Sequence, residues 1–251
     1  MIGVGGLIDN AIVAATDRWV AEKSTPLKTI KIIQPGSNKL CVLLPPWHIV
    51  TPLWNHLQER LIKRGYSLLI YEASEDILSA DGKHIQTKFK EIKDKAVKDI
   101  HDLQKQHTFK TIDVVGLSLG TCSALYVAIS GITINNLVLV CPSEDLAEGI
   151  WTGIHTQKIR AQLEKDKKTL DDFRAEMKVM TMRRDYKMNV KNVEILVSDA
   201  DKVIPYNLGL DLAKSLQAKG ISTKVRRYRH RGHYATVILF CLFGKLAQGV
   251  S

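Results

Sequence analysis

Gly116-Leu117-Ser118-Leu119-Gly120 combines residue types and a spacing that can do chemistry. A serine flanked at two residues on each side by glycine fits a sharp strand-to-helix turn, the G-x-S-x-G elbow. In such a turn the serine backbone is strained, and the flanking positions come so close to neighbouring backbone that side chains would clash. The hydroxyl then stands at the carboxyl end of a strand, beside a helix N-terminus whose N–H groups and dipole favour developing negative charge. The local pattern agrees. Ile112-Asp113-Val114-Val115 leads in as a strand, and the segment from Thr121 to Ala128 continues as a helix. The alternative is a tight turn carrying an inert serine.

A serine hydroxyl needs a base to act as a nucleophile near neutral pH. Of the eight histidines, His233 in Arg231-Gly232-His233-Tyr234 follows the last strand pattern. His230 competes, but it falls before the glycine that frees the loop; a helix-capping role for His233 is the structural alternative. The imidazole in turn needs an acid to hold its tautomer. The segment Ser198-Asp199-Ala200-Asp201-Lys202-Val203-Ile204-Pro205 offers two, of which Asp201, ahead of the proline, is preferred to Asp199. Asp145, after the preceding strand, is a third candidate. The order Ser118, Asp201, His233 is nucleophile, acid, base, with each residue at the carboxyl end of a strand pattern.

The elements that must position these residues alternate strand and helix, which predicts a mostly parallel sheet covered on both faces. Strands are expected at 30–34, 40–44, 67–71, 111–115, 134–141, 193–197 and 223–228. Helices are expected at 52–64, 83–107, 119–130 and 206–219, with a last one after His233. The alternation breaks after Pro142. Residues 143–192 form an insert with two helical patterns, one carrying Trp151, Ile154, Ile159 and Leu163. The other begins at Thr169 with a capping-box-like Asp172 and has Leu170, Phe173, Met177 and Met180 as its apolar stripe. An insert of this length is either a lid or extra helical packing. As a lid it would bind substrate through Trp151 and Met177, and the whole chain, 1–251, is expected to be one domain.

The composition, 45% hydrophobic and 25% charged, is that of a globular protein. The net charge of +10 could favour anionic partners, but the basic runs at 88–98 and 165–168 read as solvated helix faces. No aromatic-basic or zinc-finger pattern accompanies them, so no nucleic-acid partner is expected. Cys41, Cys122, Cys141 and Cys241 form no C-x-x-C pair and read as small core residues in a reducing, cytoplasmic setting. Residues 1–15 lack the basic start of a signal peptide, and no stretch is long enough to span a membrane. An amphipathic helix at 1–15 is compatible with the pattern.

With the elbow, Asp201-Lys202-Val203-Ile204-Pro205 and Gly232-His233-Tyr234 together, the chain from about Lys39 onward resembles the α/β-hydrolase superfamily of esterases, lipases and thioesterases. The resemblance implies an α/β-hydrolase fold with a sheet of about eight strands, helices on both faces and a short helical cap at 143–192. It also implies an oxyanion hole. The usual His-Gly after the first core strand is replaced by Leu44-Pro45-Pro46-Trp47-His48. Proline has no N–H, which leaves Trp47, then His48, as one donor, and Leu119 as the other. The common Asp-x-x-Gly-x-Gly-x-Ser segment is replaced by Tyr71-Glu72-Ala73-Ser74-Glu75-Asp76, which sets the chain apart from well-known subfamilies. The activity implied is hydrolysis of a small acyl ester or thioester through an acyl-enzyme, without metal or cofactor. An acyltransferase with the same triad, or a non-catalytic binding protein on this fold, are the alternatives.

Overall fold

A strand whose every side chain is apolar must be covered on both faces, and the middle of this chain has several. The computed structural model describes residues 25–47, 51–177 and 187–246. His48, Met180 and the helical pattern of residues 1–15 lie outside the described residues. In chain order the described elements are β1 (Lys28–Ile32), β2 (Lys39–Leu44), α1 (Thr51–Lys63), β3 (Tyr66–Glu72), α2 (Gly82–Gln106), β4 (Thr111–Leu117), α3 (Gly120–Ala128) and β5 (Ile134–Val140). The insert follows as α4 (Leu146–Thr152), α5 (Gln157–Lys165) and α6 (Leu170–Glu176). Then come β6 (Val190–Ser198), α7 (Tyr206–Ala218), β7 (Thr223–Tyr228) and α8 (His233–Phe243).

The strands make one seven-stranded sheet in the order β1-β3-β2-β4-β5-β6-β7. Only β1, antiparallel to β3, departs from parallel pairing. The expected sheet of about eight strands is seven among the described residues. Side chains alternate between two apolar layers. Leu40, Val42 and Leu44 of β2 face the layer under α2, α3 and α7, with Ile85, Phe89, Leu125 and Leu212. Cys41 and Leu43 face the layer under α1 and α8, with Trp54, Leu57, Leu61 and Phe240. All four cysteines are buried, and none is in a disulfide. No described helix is long and apolar enough to cross a membrane.

Boundaries follow local chemistry. Asp81 caps α2, its Oδ1 accepting from the N–H groups of Lys83 (2.9 Å) and His84 (3.3 Å). Thr169 and Asp172 form the expected capping box at α6, with Thr169 N donating to Asp172 Oδ2 at 2.8 Å and Asp172 N to Thr169 Oγ1 at 3.2 Å. The first strand lies two residues earlier than the expected 30–34. Its antiparallel register, Lys28 opposite Glu72 and Ile32 opposite Leu68, sets it, and Lys28 Nζ reaches Glu72 at 2.7 Å. Arg60 of α1 donates to the Cys241 carbonyl at 2.7 Å, satisfying the carboxyl end of α8, the helix that begins at His233.

Asp99 ties α2 to the sheet edge. It is 3% exposed and accepts from Lys31 Nζ (2.8 Å), Lys95 Nζ (2.5 Å) and the Tyr71 hydroxyl (2.9 Å). Burial pushes its carboxyl up, but these donors outweigh burial and hold it below the usual range. A depressed folded pKa stabilises above the unfolded value, about 3.9, and the gain is lost as pH falls through the folded value. Asp99→Asn should therefore cost about 1–3 kcal/mol at neutral pH. In denaturant melts across pH, the gap between variant and parent should close below about pH 4.

Candidate active site

The elbow is held by close approach of backbone to backbone. Ser118, between β4 and α3, has a left-handed φ of 52°, a conformation that costs a non-glycine residue about 1–3 kcal/mol. A Cβ on Gly116 would lie 2.7 Å from the Gly120 oxygen and from Thr121 Cα. A Cβ on Gly120 would overlap the carbonyl oxygens of Leu44 and Pro45. Glycine at both places lets the elbow close and seat against the loop that carries Trp47. Ser118 N donates to the Val140 carbonyl at 2.8 Å, and the Ser118 carbonyl accepts from Thr121 N (2.9 Å) and Thr121 Oγ1 (2.6 Å). The serine main chain is thus clamped on both sides.

Ser118 Oγ lies 2.8 Å from His233 Nε2, and His233 Nδ1 lies 2.7 Å from Asp201 Oδ2. A carboxylate can only accept, so Nδ1 carries the ring proton and Nε2 accepts from the hydroxyl. Asp201 Oδ1 accepts from the N–H groups of Val203 (2.9 Å) and Ile204 (2.8 Å), which fixes the carboxylate. Gly232, at φ 71°, turns the chain so that His233 opens α8. The side chains of His233 and Asp201 are both 2% exposed.

The competing residues are engaged elsewhere. Asp199 accepts from His230 N at 2.7 Å and from Arg227 at 3.3 Å. The His230 N–H, with Arg227 adding to it, holds the Asp199 carboxyl below the usual range. His230 is itself exposed. Asp145 caps α4 through Glu148 N (3.1 Å) and receives Arg174 Nε at 2.7 Å.

Ser118 and His233 open into a cavity of about 230 Å³. Leu53 and Trp54 of α1 and Tyr234, Val237, Ile238 and Cys241 of α8 form one side, while Leu146, Gly149, Ile150, His155 and Thr156 of the insert form another. Trp47 and Leu119, the residues whose N–H groups are expected to hold an oxyanion, both line it. Burial pushes the thiols of the lining residues Cys122 and Cys241 up to about 12. Among the described residues that line it there is no Lys, Arg, Asp or Glu.

Two expected substrate contacts need correction. Neither Trp151 nor Met177 lines the cavity. Met177 is fully buried in the core, its Cγ 3.0 Å from where a Cβ on Gly82 would be. Trp151 lies half-buried under the Arg160 guanidinium, 5.6 Å from the ring centre. The reason is that α6 packs down onto α2 and α4. Glu176 accepts from Gly82 N at 3.1 Å, and Arg174 pairs with Asp145 (2.7 Å) and Glu148 (2.6 Å).

Sequence reasoning missed three residues here. Tyr234 OH and His155 Nε2 lie 2.5 Å apart, rings edge to face, linking α8 to the insert at the cavity wall. Tyr234 was adjacent to a named residue, but nothing in the insert's periodicity marked His155. Cys141, taken as core, has a left-handed φ of 54°, and its thiol, an Asp201 oxygen and a His233 nitrogen all lie within 4.8 Å of one another. Among the described residues this is the one group that could hold a metal ion.

No protein-family model matches the sequence, and no curated protein matches it. Solved structures do. Est1E from Butyrivibrio proteoclasticus is similar over 86% of this chain and 90% of its own, at TM-score 0.52 and 16% identity. An esterase from Pyrobaculum calidifontis is similar over 94% of this chain and 84% of its own, at TM-score 0.58 and 12% identity. An acylaminoacyl peptidase from Pyrococcus horikoshii is similar over 86% of this chain but 37% of its own, at TM-score 0.56 and 12% identity. At these identities the likeness is one of fold.

The packing separates structural from pocket residues in the insert. Met177→Ala, which does not line the cavity, should cost about 2–5 kcal/mol in a denaturant melt, while Ile150→Ala, equally buried but lining the cavity, should cost a similar amount and also enlarge the cavity. Gly120→Ala should cost about 1–3 kcal/mol or more by overpacking, read in the same melts.

Proposed function

We propose that this chain, whose fold is that of an α/β-hydrolase, is a serine hydrolase that cleaves a carboxylic ester or thioester through an acyl-enzyme. The observation that carries this reading is the continuous relay from Ser118 to His233 (2.8 Å) to Asp201 (2.7 Å), opening into a cavity. Ser118 Oγ attacks the acyl carbon while His233 Nε2 takes the hydroxyl proton. Asp201 keeps the ring in that tautomer and stabilises its charged form. The carbonyl oxygen gains negative charge, held by the N–H groups of Leu119 and Trp47. His233 then gives its proton to the departing alcohol or thiol. Water, activated by the same nitrogen, releases the acid and restores the serine.

The apolar lining supports an uncharged acyl or alcohol part near Ser118 rather than an anionic one. We read residues 143–192 as a cap on a single domain. Leu146, Ile150 and His155 support this by lining the cavity. Arg174 supports it by fastening α6 to α4 through Asp145 and Glu148.

Purified full chain should react with a fluorophosphonate at Ser118 and hydrolyse simple esters or acyl-thioesters. Ser118→Ala should lose the labelling and reduce turnover by about 10⁴-fold or more. A folded Ser118→Ala protein with unchanged turnover refutes the scheme. Asp201→Asn should reduce turnover about 10⁴-fold by favouring the wrong tautomer. Asp199→Asn and Asp145→Asn should keep most of the turnover, with Asp145→Asn lowering the melting temperature instead.

A further inference from the structure

We propose that Cys141, Asp201 and His233 form a binding site for one thiophilic divalent cation of the Zn²⁺ or Cd²⁺ kind, and that its occupancy switches off the Ser118 relay. The switching rests on the hydrolase reading above; the binding does not.

Cys141 follows β5 and is 2% exposed. Its thiol, a carboxylate oxygen of Asp201 and a ring nitrogen of His233 lie within 4.8 Å of one another. A Zn²⁺ ion takes sulfur at about 2.3 Å and nitrogen or oxygen at about 2.0–2.2 Å, so its donors stand within about 4 Å of each other. His233 Nδ1 and Asp201 Oδ2 already stand 2.7 Å apart, so an ion on that pair parts them by roughly half an ångström while the thiol moves in by at most about an ångström. The donor chemistry is selective. Thiolate and imidazole suit Zn²⁺ and its heavier relatives, whereas Mg²⁺ and Ca²⁺ prefer all-oxygen sets. A thiolate beside a carboxylate is a costly buried pair of negative charges, and a divalent cation neutralises both.

The effect on catalysis follows from the histidine. In the metal-free relay Nδ1 donates to Asp201 and Nε2 accepts from Ser118. A cation on Nδ1 displaces that proton to Nε2, which then faces the serine as a donor and cannot take its proton. A cation on Nε2 occupies the accepting lone pair directly. Both arrangements remove the base. The thiol proton leaves to solvent, so one proton is released per ion bound. A carboxylate–histidine pair is part of any such triad; the added element here is the cysteine that turns the pair into a three-donor set.

The test is a Cd²⁺ titration of the full chain with two readouts: the ultraviolet thiolate-to-Cd²⁺ charge-transfer absorbance, and the rate of fluorophosphonate labelling at Ser118. One Cd²⁺ per chain should produce the band, and at saturation labelling should slow by at least about tenfold, with EDTA restoring the rate. Mg²⁺ at the same concentration should change neither readout. Cys141→Ser should lose the band and need at least about tenfold more Cd²⁺ for the same fractional loss of its own metal-free rate. Cys141→Ala serves equally should the serine variant fail to fold. A band that persists without Cys141, or equal inhibition midpoints in parent and variant, overturns the site. A Cys141-dependent band with undiminished labelling overturns the switch. A chain that never labels, yet shows the Cys141-dependent band, refutes the hydrolase reading while supporting the metal site.

Discussion

Everything at this site depends on how closely two pieces of backbone can approach. The carbonyl oxygens of Leu44 and Pro45 lie where a Cβ on Gly120 would be, and the Gly120 oxygen lies 2.7 Å from where a Cβ on Gly116 would be. With side chains at either position, α3 could not start so near the end of β4, and Ser118 could not be held at φ 52°. The strain is met by clamps: Ser118 N on the Val140 carbonyl, and Thr121 on the Ser118 carbonyl. A rigid main chain fixes the direction in which the side-chain oxygen meets His233, 2.8 Å away. The same approach sets Leu119 and Trp47 beside one cavity.

The parallel sheet brings the other partners. Strands β4, β5, β6 and β7 are parallel neighbours in that order, so their carboxyl ends lie along one edge. Ser118 follows β4, Cys141 follows β5, Asp201 follows β6 and His233 follows β7. Residues scattered through the sequence meet because each lies in the loop just past the carboxyl end of one of these neighbouring strands. Each loop then uses its own local device. Asp201 is fixed by the N–H groups of Val203 and Ile204, and Gly232 supplies the positive φ that lets His233 turn back into a helix.

This explains what the sequence could reveal. The elbow, Asp201 and His233 were legible because their signals are short-range: glycines at fixed offsets, a carboxylate ahead of a proline, a histidine after a glycine. The sheet was legible because β-branched runs alternate with helical ones. Which body a helix meets is a long-range matter. The stripe of Phe173 and Met177 showed that α6 has an apolar face, but not that the face turns to α2 and away from Ser118. The antiparallel register that places β1 at Lys28–Ile32 depends on β3, some forty residues on, and no local periodicity carries it. Cys141 looked like one more small core residue, since only the folded sheet sets its thiol beside Asp201 and His233.

The charge distribution argues in the same direction as the packing. A net charge of +10 invites the idea of an anionic ligand, yet charge acts on a substrate only where it faces one. Many of the cations on α2 are already paired: Lys90 with Asp94, Lys88 with Asp76, Lys95 with Asp99. Arg174 is held by Asp145, Glu148 and Asp171 within the insert. Among the described residues the cavity beside Ser118 has no acidic, lysine or arginine side chain on its walls, and burial keeps the thiols of Cys122 and Cys241 protonated there. Desolvation in such a pocket penalises a bound carboxylate or phosphate, which would find no fixed counter-charge among the described lining residues. It favours an uncharged chain or ring. The basic surface and the apolar cavity are therefore separate features of the molecule, and the charge carried by the one does not decide what fits the other.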